Sequence, residues 1–178
     1  MITIVVGTNR KNSRTREVAQ YYQNLLRQEK VESQILDLSE LPDDFTTSAL
    51  YENTGKNPVF NALRTTVERA DQYVFIVPEY NGSFPGVLKA FLDGLSYPSK
   101  LMHKQAALVG LSDGIQGGAL ALSHLNDIFS YLGLNVLAQR VKIPLMKKNF
   151  QDGKVTDDFI NQLLREQAGL LARSRLFV

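Results

Sequence analysis

The sequence predicts a doubly wound α/β domain: a five-stranded parallel sheet in the order 2-1-3-4-5, with helices on both faces. Three observations predict it. Five short apolar runs, several rich in β-branched residues, recur along the chain at strand length. A segment with helical character follows each run before the next begins. The 178 residues suit one domain with one core and are few for two. Strands that alternate with helices form a parallel sheet joined by right-handed crossovers, and five such units match this strand order. One domain is therefore expected over residues 1–178.

Ile2 to Val6, closed by Gly7, is the first strand. Thr8 to Ser13 is polar and turn-prone, and Thr15 to Gln28 follows as a helix. Val18, Tyr21, Tyr22, Leu25 and Leu26 share one of its faces by their spacing of three and four. Ser33 to Leu38 is the second strand. Leu41 to Asn57 is expected as a long loop, of the kind that carries function or a subunit contact. Pro58 to Ala70 reads as a helix with proline in its first turn. Gln72 to Val77 is the third strand, Pro78 to Gly86 a loop, and Val87 to Leu95 a helix. Lys104 to Leu111 is the fourth strand and Ser112 to Gly118 its loop. Ala119 to Leu132 is a helix with Gly133 at a left-handed cap position. Asn135 to Val141 is expected as the fifth strand. Thr156 to Arg173 is the closing helix, with Thr156 as its N-cap and Asp157 and Asp158 in its first turn.

Composition narrows the function classes. Hydrophobic residues make up 44% and charged residues 21%, which excludes a disordered chain. The net charge of +2 is too small and too dispersed to call for a nucleic acid, although Arg10, Lys11, Arg14 and Arg16 cluster. There is no cysteine, so disulfides, thiolate catalysis and cysteine metal sites are ruled out. The apolar start lacks a basic leader and a cleavage site, and no run approaches the roughly 20 residues of a membrane span. The expected location is the cytoplasm, without membrane attachment.

In a sheet of this order, ligands bind outside the carboxyl ends of the strands, beside the switch between strands 1 and 3. Three loops therefore carry the chemistry. The first, Gly7 to Thr15, offers hydroxyls at Thr8, Ser13 and Thr15, a guanidinium at Arg10 and the N-terminus of a helix. Those groups suit phosphate oxygens. The plain reading is an N-cap with solvated basic residues; the position after the first strand favours the phosphate. The loop carries neither GxGxxG nor GxxxxGK[ST], which argues against a dinucleotide site and an ATPase. The second loop is Pro78-Glu79-Tyr80-Asn81-Gly82-Ser83-Phe84-Pro85-Gly86, and its glycines allow the close backbone approach a flat aromatic ligand needs. The third, Leu111 to Gly118, has Ser112, Asp113, Gly114 and Gly117. It is equally readable as a ligand edge or as a strand-to-helix turn.

The run Pro78 to Lys89 closely resembles the signature loop of the NAD(P)H-dependent FMN reductases, a flavodoxin-like family that includes quinone, azo-dye and chromate reductases. The first loop resembles that family's phosphate loop. The resemblance implies that Thr8, Arg10, Ser13 and Thr15 hold the FMN phosphate. It implies that Pro78, Glu79, Tyr80, Asn81 and Gly82 line the isoalloxazine, largely through backbone groups, and it adds Ser112, Gly114 and Gly117 from the third loop. NADPH or NADH would be the electron donor. The acceptor would be a quinone, an azo compound, a metal oxyanion or free flavin. The chemistry belongs to the FMN, so no side chain is assigned as a catalyst. The family also implies a homodimer or homotetramer, to which Lys89, Phe91, Leu92 and Leu95 are candidates to contribute. One departure stands out: many relatives have Asp-Trp after the signature helix, where this chain has Asp93-Gly94 and no tryptophan anywhere. The other reading of the same residues is a flavodoxin-type electron carrier or a flavin-binding redox sensor without turnover.

Other candidates are weaker. His103 and His124 lack partners at metal-ligand spacing, so no metal is expected, and both read as surface or satisfied histidines. Ser83 has no visible base. No G-x-S-x-G elbow is present. Tyr21 and Tyr22 read as helix packing, and Arg173 and Arg175 as a solvated terminus or a subunit contact.

Overall fold

Period-two alternation builds the middle of the molecule. The computed structural model describes residues 1–174. β1 (Ile2–Val6) pairs in parallel with β2 (Ser33–Asp37) on one side and β3 (Gln72–Pro78) on the other. β3 pairs in parallel with β4 (Gln105–Leu111), which gives the expected order β2-β1-β3-β4-β5. Side chains alternate across such strands. Ile2, Ile4, Val6, Val74 and Ile76 therefore enter one core, while Val5, Tyr73, Phe75 and Val77 enter the other. Each fully buried aliphatic side chain is worth roughly 1.5–3 kcal/mol.

Helices cover both faces. α1 (Arg14–Gln28) lays Val18, Ala19, Tyr22, Leu25 and Leu26 on the first core, as their spacing predicts. α3 (Pro58–Glu68), α4 (Gly86–Asp93) and α5 (Ala119–Tyr131) cover the second. Asn57 caps α3 by accepting from the Val59 and Phe60 N–H groups. Gly133 has φ +71°, the left-handed geometry that ends α5.

The structure corrects four expectations. The segment 41–57 is not a bare loop: it holds α2 (Phe45–Ser48) and one 3-10 turn (Tyr51–Asn53), and Leu41, Phe45, Ala49 and Leu50 are buried. Phe60 and Leu50 occupy the space beside Gly94 where a side chain would project. Any side chain at position 94 would collide with them. The fifth strand is split into β5 (Asn135–Val136) and β6 (Val141–Ile143), both paired with β4. A buried side chain bridges the gap between them. Gln167 Nε2 donates to Leu108 O at 3.1 Å and Gln139 O at 2.6 Å, and Gln167 Oε1 accepts from Tyr22 Oη. Next, α6 (Met146–Asn149) and a hairpin of β7 (Phe150–Gln151) and β8 (Lys154–Val155) occupy a stretch for which no element is predicted. Finally, α7 runs from Asp158 to Ser174, and Asp157 rather than Thr156 caps it: Asp157 Oδ1 accepts from Ile160 N, while Thr156 Oγ1 donates to Lys148 O. Arg175 lies outside the described residues.

Candidate functional site

A cleft of about 490 Å³ opens at the carboxyl ends of β1, β3 and β4, in the size range of small-molecule sites. All three predicted loops reach it. Arg10, Ser13 and Thr15 line it from the first, Pro78, Glu79 and Tyr80 from the second, and Ser112 from the third. Asn12, Arg14, Leu111, Asp113 and Met146 line it as well, although no sequence signal singled out Asn12, Leu111 or Met146. Met146 arrives because α6 folds back: Met146 N donates to Ser112 O and Leu145 N to Gly114 O.

The first loop is built as an anion cradle. Ser13 caps α1, its Oγ accepting from Arg16 N at 3.2 Å. The N–H groups of Arg14 and Thr15 donate to no protein group among the described residues, so they are free at the positive end of the helix. Of the four basic residues here, two are committed elsewhere. Arg16 pairs at 2.7 Å with Asp37, whose carboxylate is buried, and Arg14 reaches Phe150 O and Glu17. Arg10 is exposed, and its guanidinium makes no hydrogen bond or ion pair among the described residues.

Thr8 stands apart from its expected role. It is fully buried and absent from the cleft wall. Its Oγ1 accepts from Arg10 N at 3.3 Å and lies 3.0 Å from Tyr80 Oη. Thr8 thus ties the first loop to the second.

The second loop is a two-residue hairpin. Tyr80 and Ser83 exchange backbone hydrogen bonds of 2.8 and 3.0 Å across Asn81 and Gly82. Both central residues have positive φ, +50° and +74°, the geometry an Asn-Gly pair favours. The pairing uses the Tyr80 N–H, and Glu79 N donates to Leu111 O at 3.0 Å. The N–H groups of Asn81 and Gly82 have no protein partner among the described residues. The free N–H groups of this loop are thus those of the turn, although Asn81 and Gly82, unlike Glu79 and Tyr80, are not among the residues that line the cleft. Glu79 contributes a side chain instead: its Oε2 is buried and unpartnered. Atoms of that kind are rare in folded proteins and call for a donor, from water or from a ligand; Asn61 Oδ1 and Gln72 Oε1, which do not line the cleft, are two others.

The third loop divides. Ser112 lines the cleft and its Oγ donates to Gly114 O at 3.2 Å. Asp113 lies at the mouth, 4.0 Å from Lys147 Nζ. Gly117 is buried away from the cleft, and a Cβ on it would come within 2.8 Å of Pro144 N. Packing against the β6–α6 connection, not a ligand, demands that glycine. His124, on α5, lies 2.9 Å from Ser83 Oγ through its Nδ1. A hydrogen-bond partner that Ser83 lacks among its neighbours in sequence comes from a helix 41 residues away.

A cleft of this size with a helix start and the Arg10 guanidinium in its wall fits a phosphorylated cofactor, and the comparisons with known proteins agree. The family model described as NADPH-dependent FMN reductase matches residues 1–145. An FMN-dependent NADPH-azoreductase of Staphylococcus saprophyticus is 34% identical, over 98% of this chain and 89% of the relative. An NAD(P)H:quinone oxidoreductase of Solanum tuberosum is also 34% identical, over 82% and 75%. Among solved structures, the flavoenzyme NAD(P)H:(acceptor) oxidoreductase of Paracoccus denitrificans superposes with a TM-score of 0.77 at 26% identity, covering 97% of this chain and 94% of that one. A flavodoxin from the domain Archaea shares the fold at a TM-score of 0.63 and 14% identity, covering 98% of each chain. With this order of strands, this cleft and these relatives, the chain belongs to the NADPH-dependent FMN reductase family of flavodoxin-like oxidoreductases.

Proposed function

We propose that the cleft holds FMN with its phosphate at the start of α1 and its ring beside the Pro78–Gly82 loop, and that the protein reduces a quinone or an azo compound with electrons from NADPH or NADH. When bound, FMN would supply the two-electron redox chemistry between the nicotinamide and the acceptor. The protein's own residues position and tune. Arg10, Ser13, Thr15 and the free N–H groups of Arg14 and Thr15 bind the phosphate. The Asn81 and Gly82 N–H groups and Ser112 meet polar atoms of the ring. Glu79 Oε2 accepts from a ring N–H of the kind isoalloxazine carries, and this orphaned acceptor in the cleft wall is the observation that carries the reading. Gly114, at the mouth beside Ser112, shapes the third loop. The quinone and azo acceptors follow the names of the relatives.

We infer further that the chain acts as one domain in the cytoplasm, where nicotinamide donors are supplied. A homodimer or homotetramer is supported by a mostly apolar groove of about 370 Å³ between α4 and α5, flanked by Tyr131 at 89% exposure. The test is a visible spectrum of the purified protein before and after NADPH or NADH is added without oxygen. Flavin bands that bleach are expected. Bands that persist favour a carrier or sensor, and no flavin after incubation with FMN overturns the assignment.

A further inference from the structure

The Tyr80–Ser83 hairpin is held at both of its ends by side chains from other parts of the chain. At one end, Tyr80 Oη meets Thr8 Oγ1, 72 residues earlier, at 3.0 Å. At the other, Ser83 Oγ meets His124 Nδ1 at 2.9 Å. Between these anchors stand Asn81 and Gly82, in positive-φ geometry and with their N–H groups unpartnered within the described residues. The turn leans on α5 beside the second anchor: a Cβ on Gly82 would lie 3.9 Å from Leu120 Cδ1. Neither Ser83 nor His124 lines the cleft, so any influence they have on it passes through the hairpin.

We propose that His124 is a positioning residue for the cofactor site: by holding Ser83 it fixes the orientation of the Asn81–Gly82 turn. The imidazole suits this task for a reason particular to the pair. A serine hydroxyl both donates and accepts. With a neutral ring and a bare Nδ1, Ser83 donates; with a protonated ring, Nδ1–H donates to Ser83. The anchor survives titration of the ring, so its effect on the site does not follow the imidazole's charge. A proton-transfer role would behave in the opposite way. The hairpin anchor is a property of the chain alone, and only its effect on FMN rests on the flavin reading above.

The experiment compares His124→Ala, His124→Asn, Ser83→Ala and the double Ala variant. The Asn side chain places a polar atom where Nδ1 stood but carries no titratable group. In the FMN-free chain, amide hydrogen exchange is followed at Tyr80 and Ser83, whose N–H groups bond across the turn; in the same samples, FMN affinity is titrated by fluorescence. His124 is exposed, so the Ala variant retains its fold, which the melting temperature checks. Loss of one net hydrogen bond predicts roughly fivefold weaker FMN binding and faster exchange at the turn, about 1 kcal/mol. Ser83→Ala should match it, the double variant should add nothing further, and His124→Asn should restore both readouts. Exchange at Tyr80 and Ser83 that is unchanged in His124→Ala overturns the anchor, whatever FMN does. Failure of His124→Asn to rescue, together with a pH–rate profile that loses a limb in both variants, replaces positioning with proton transfer. If the wild type binds no FMN, the flavin reading fails while the exchange data still decide the anchor.

Discussion

Replacing Arg10 with Ala removes a guanidinium that touches no other group among the described residues, beside a helix start with two free N–H groups. A hydrogen bond to a charged partner is worth about 1.5–3 kcal/mol, and the exposure of Arg10 places its contribution in the lower half of that range. FMN should therefore bind about ten- to thirtyfold more weakly to Arg10→Ala, at roughly 1.4 kcal/mol per tenfold. The melting temperature of the FMN-free chain should stay put, because an exposed residue without partners contributes little to stability. Arg16→Ala supplies the opposite case. It strips Asp37, whose side chain is 3% exposed, of its ion pair and leaves it only the Ser39 N–H. Stability should fall by about 1–3 kcal/mol while the affinity of the folded fraction holds, since half-exposed Arg16 admits water to the broken pair. Fluorescence titration with FMN and with riboflavin reads the result. The loss in Arg10→Ala should be confined to FMN, because riboflavin has no phosphate. Equal FMN affinity in wild type and variant, or an equal loss for riboflavin, would falsify the phosphate assignment.

Two further outcomes are expected. Gly117→Ala should destabilise the FMN-free chain by about 1–3 kcal/mol, because φ is +59° and the new Cβ would meet Pro144 N at 2.8 Å; at this chain length that is about 2–4 °C of melting temperature per kcal/mol, and an unshifted thermal transition would contradict the packing role. Burial raises the Tyr73 and Tyr22 hydroxyls above the ordinary tyrosine value of 10.0, with Glu68 and then Asp71 adding to the shift of Tyr73. A raised folded value means that the stabilisation is complete below pH 10 and is lost as pH climbs past it. Thermal melts from pH 8 to 11 should therefore decline steeply above 10, less so in Tyr73→Phe, which drops the hydroxyl donated to Val67 O; a variant that declines in step with the wild type would remove Tyr73 as a cause.

Much of the fold was readable because its signals are local. The continuous apolar runs Ile2–Val6 and Gln72–Val77 name strands buried on both faces, and the three-and-four spacing of α1 names its buried side, each from a few neighbouring residues. Asn81-Gly82 likewise specifies its turn, since few other pairs tolerate two positive φ values. The break in the fifth strand was not readable. It depends on Gln167, a polar residue on a distant helix, inserting its amide between β4 and the edge. The hairpin of β7 and β8 is two residues to a strand, too short for any period to show.

The cleft divides along the same line. Residue chemistry and loop position named Arg10, Ser13, Thr15 and Ser112, and the family resemblance named Pro78, Glu79 and Tyr80; all line the cleft, because a sheet of this order delivers those loops to one edge, whereas Asn81, Gly82 and Gly114 do not line it. Which polar groups remain free once the chain has folded is a different quantity. Thr8 is spent on Tyr80, Arg14 on Phe150 O and Glu17, Arg16 on Asp37, and the Glu79 and Tyr80 N–H groups on the backbone; Arg10, the Asn81–Gly82 turn and Glu79 Oε2 are left over. The sequence by itself determined the sheet, the loops and the family. Only the tertiary structure decided which donors and acceptors face a ligand and that His124 stands behind Ser83, because hydrogen bonds between residues tens of positions apart are satisfied by geometry that no local pattern encodes.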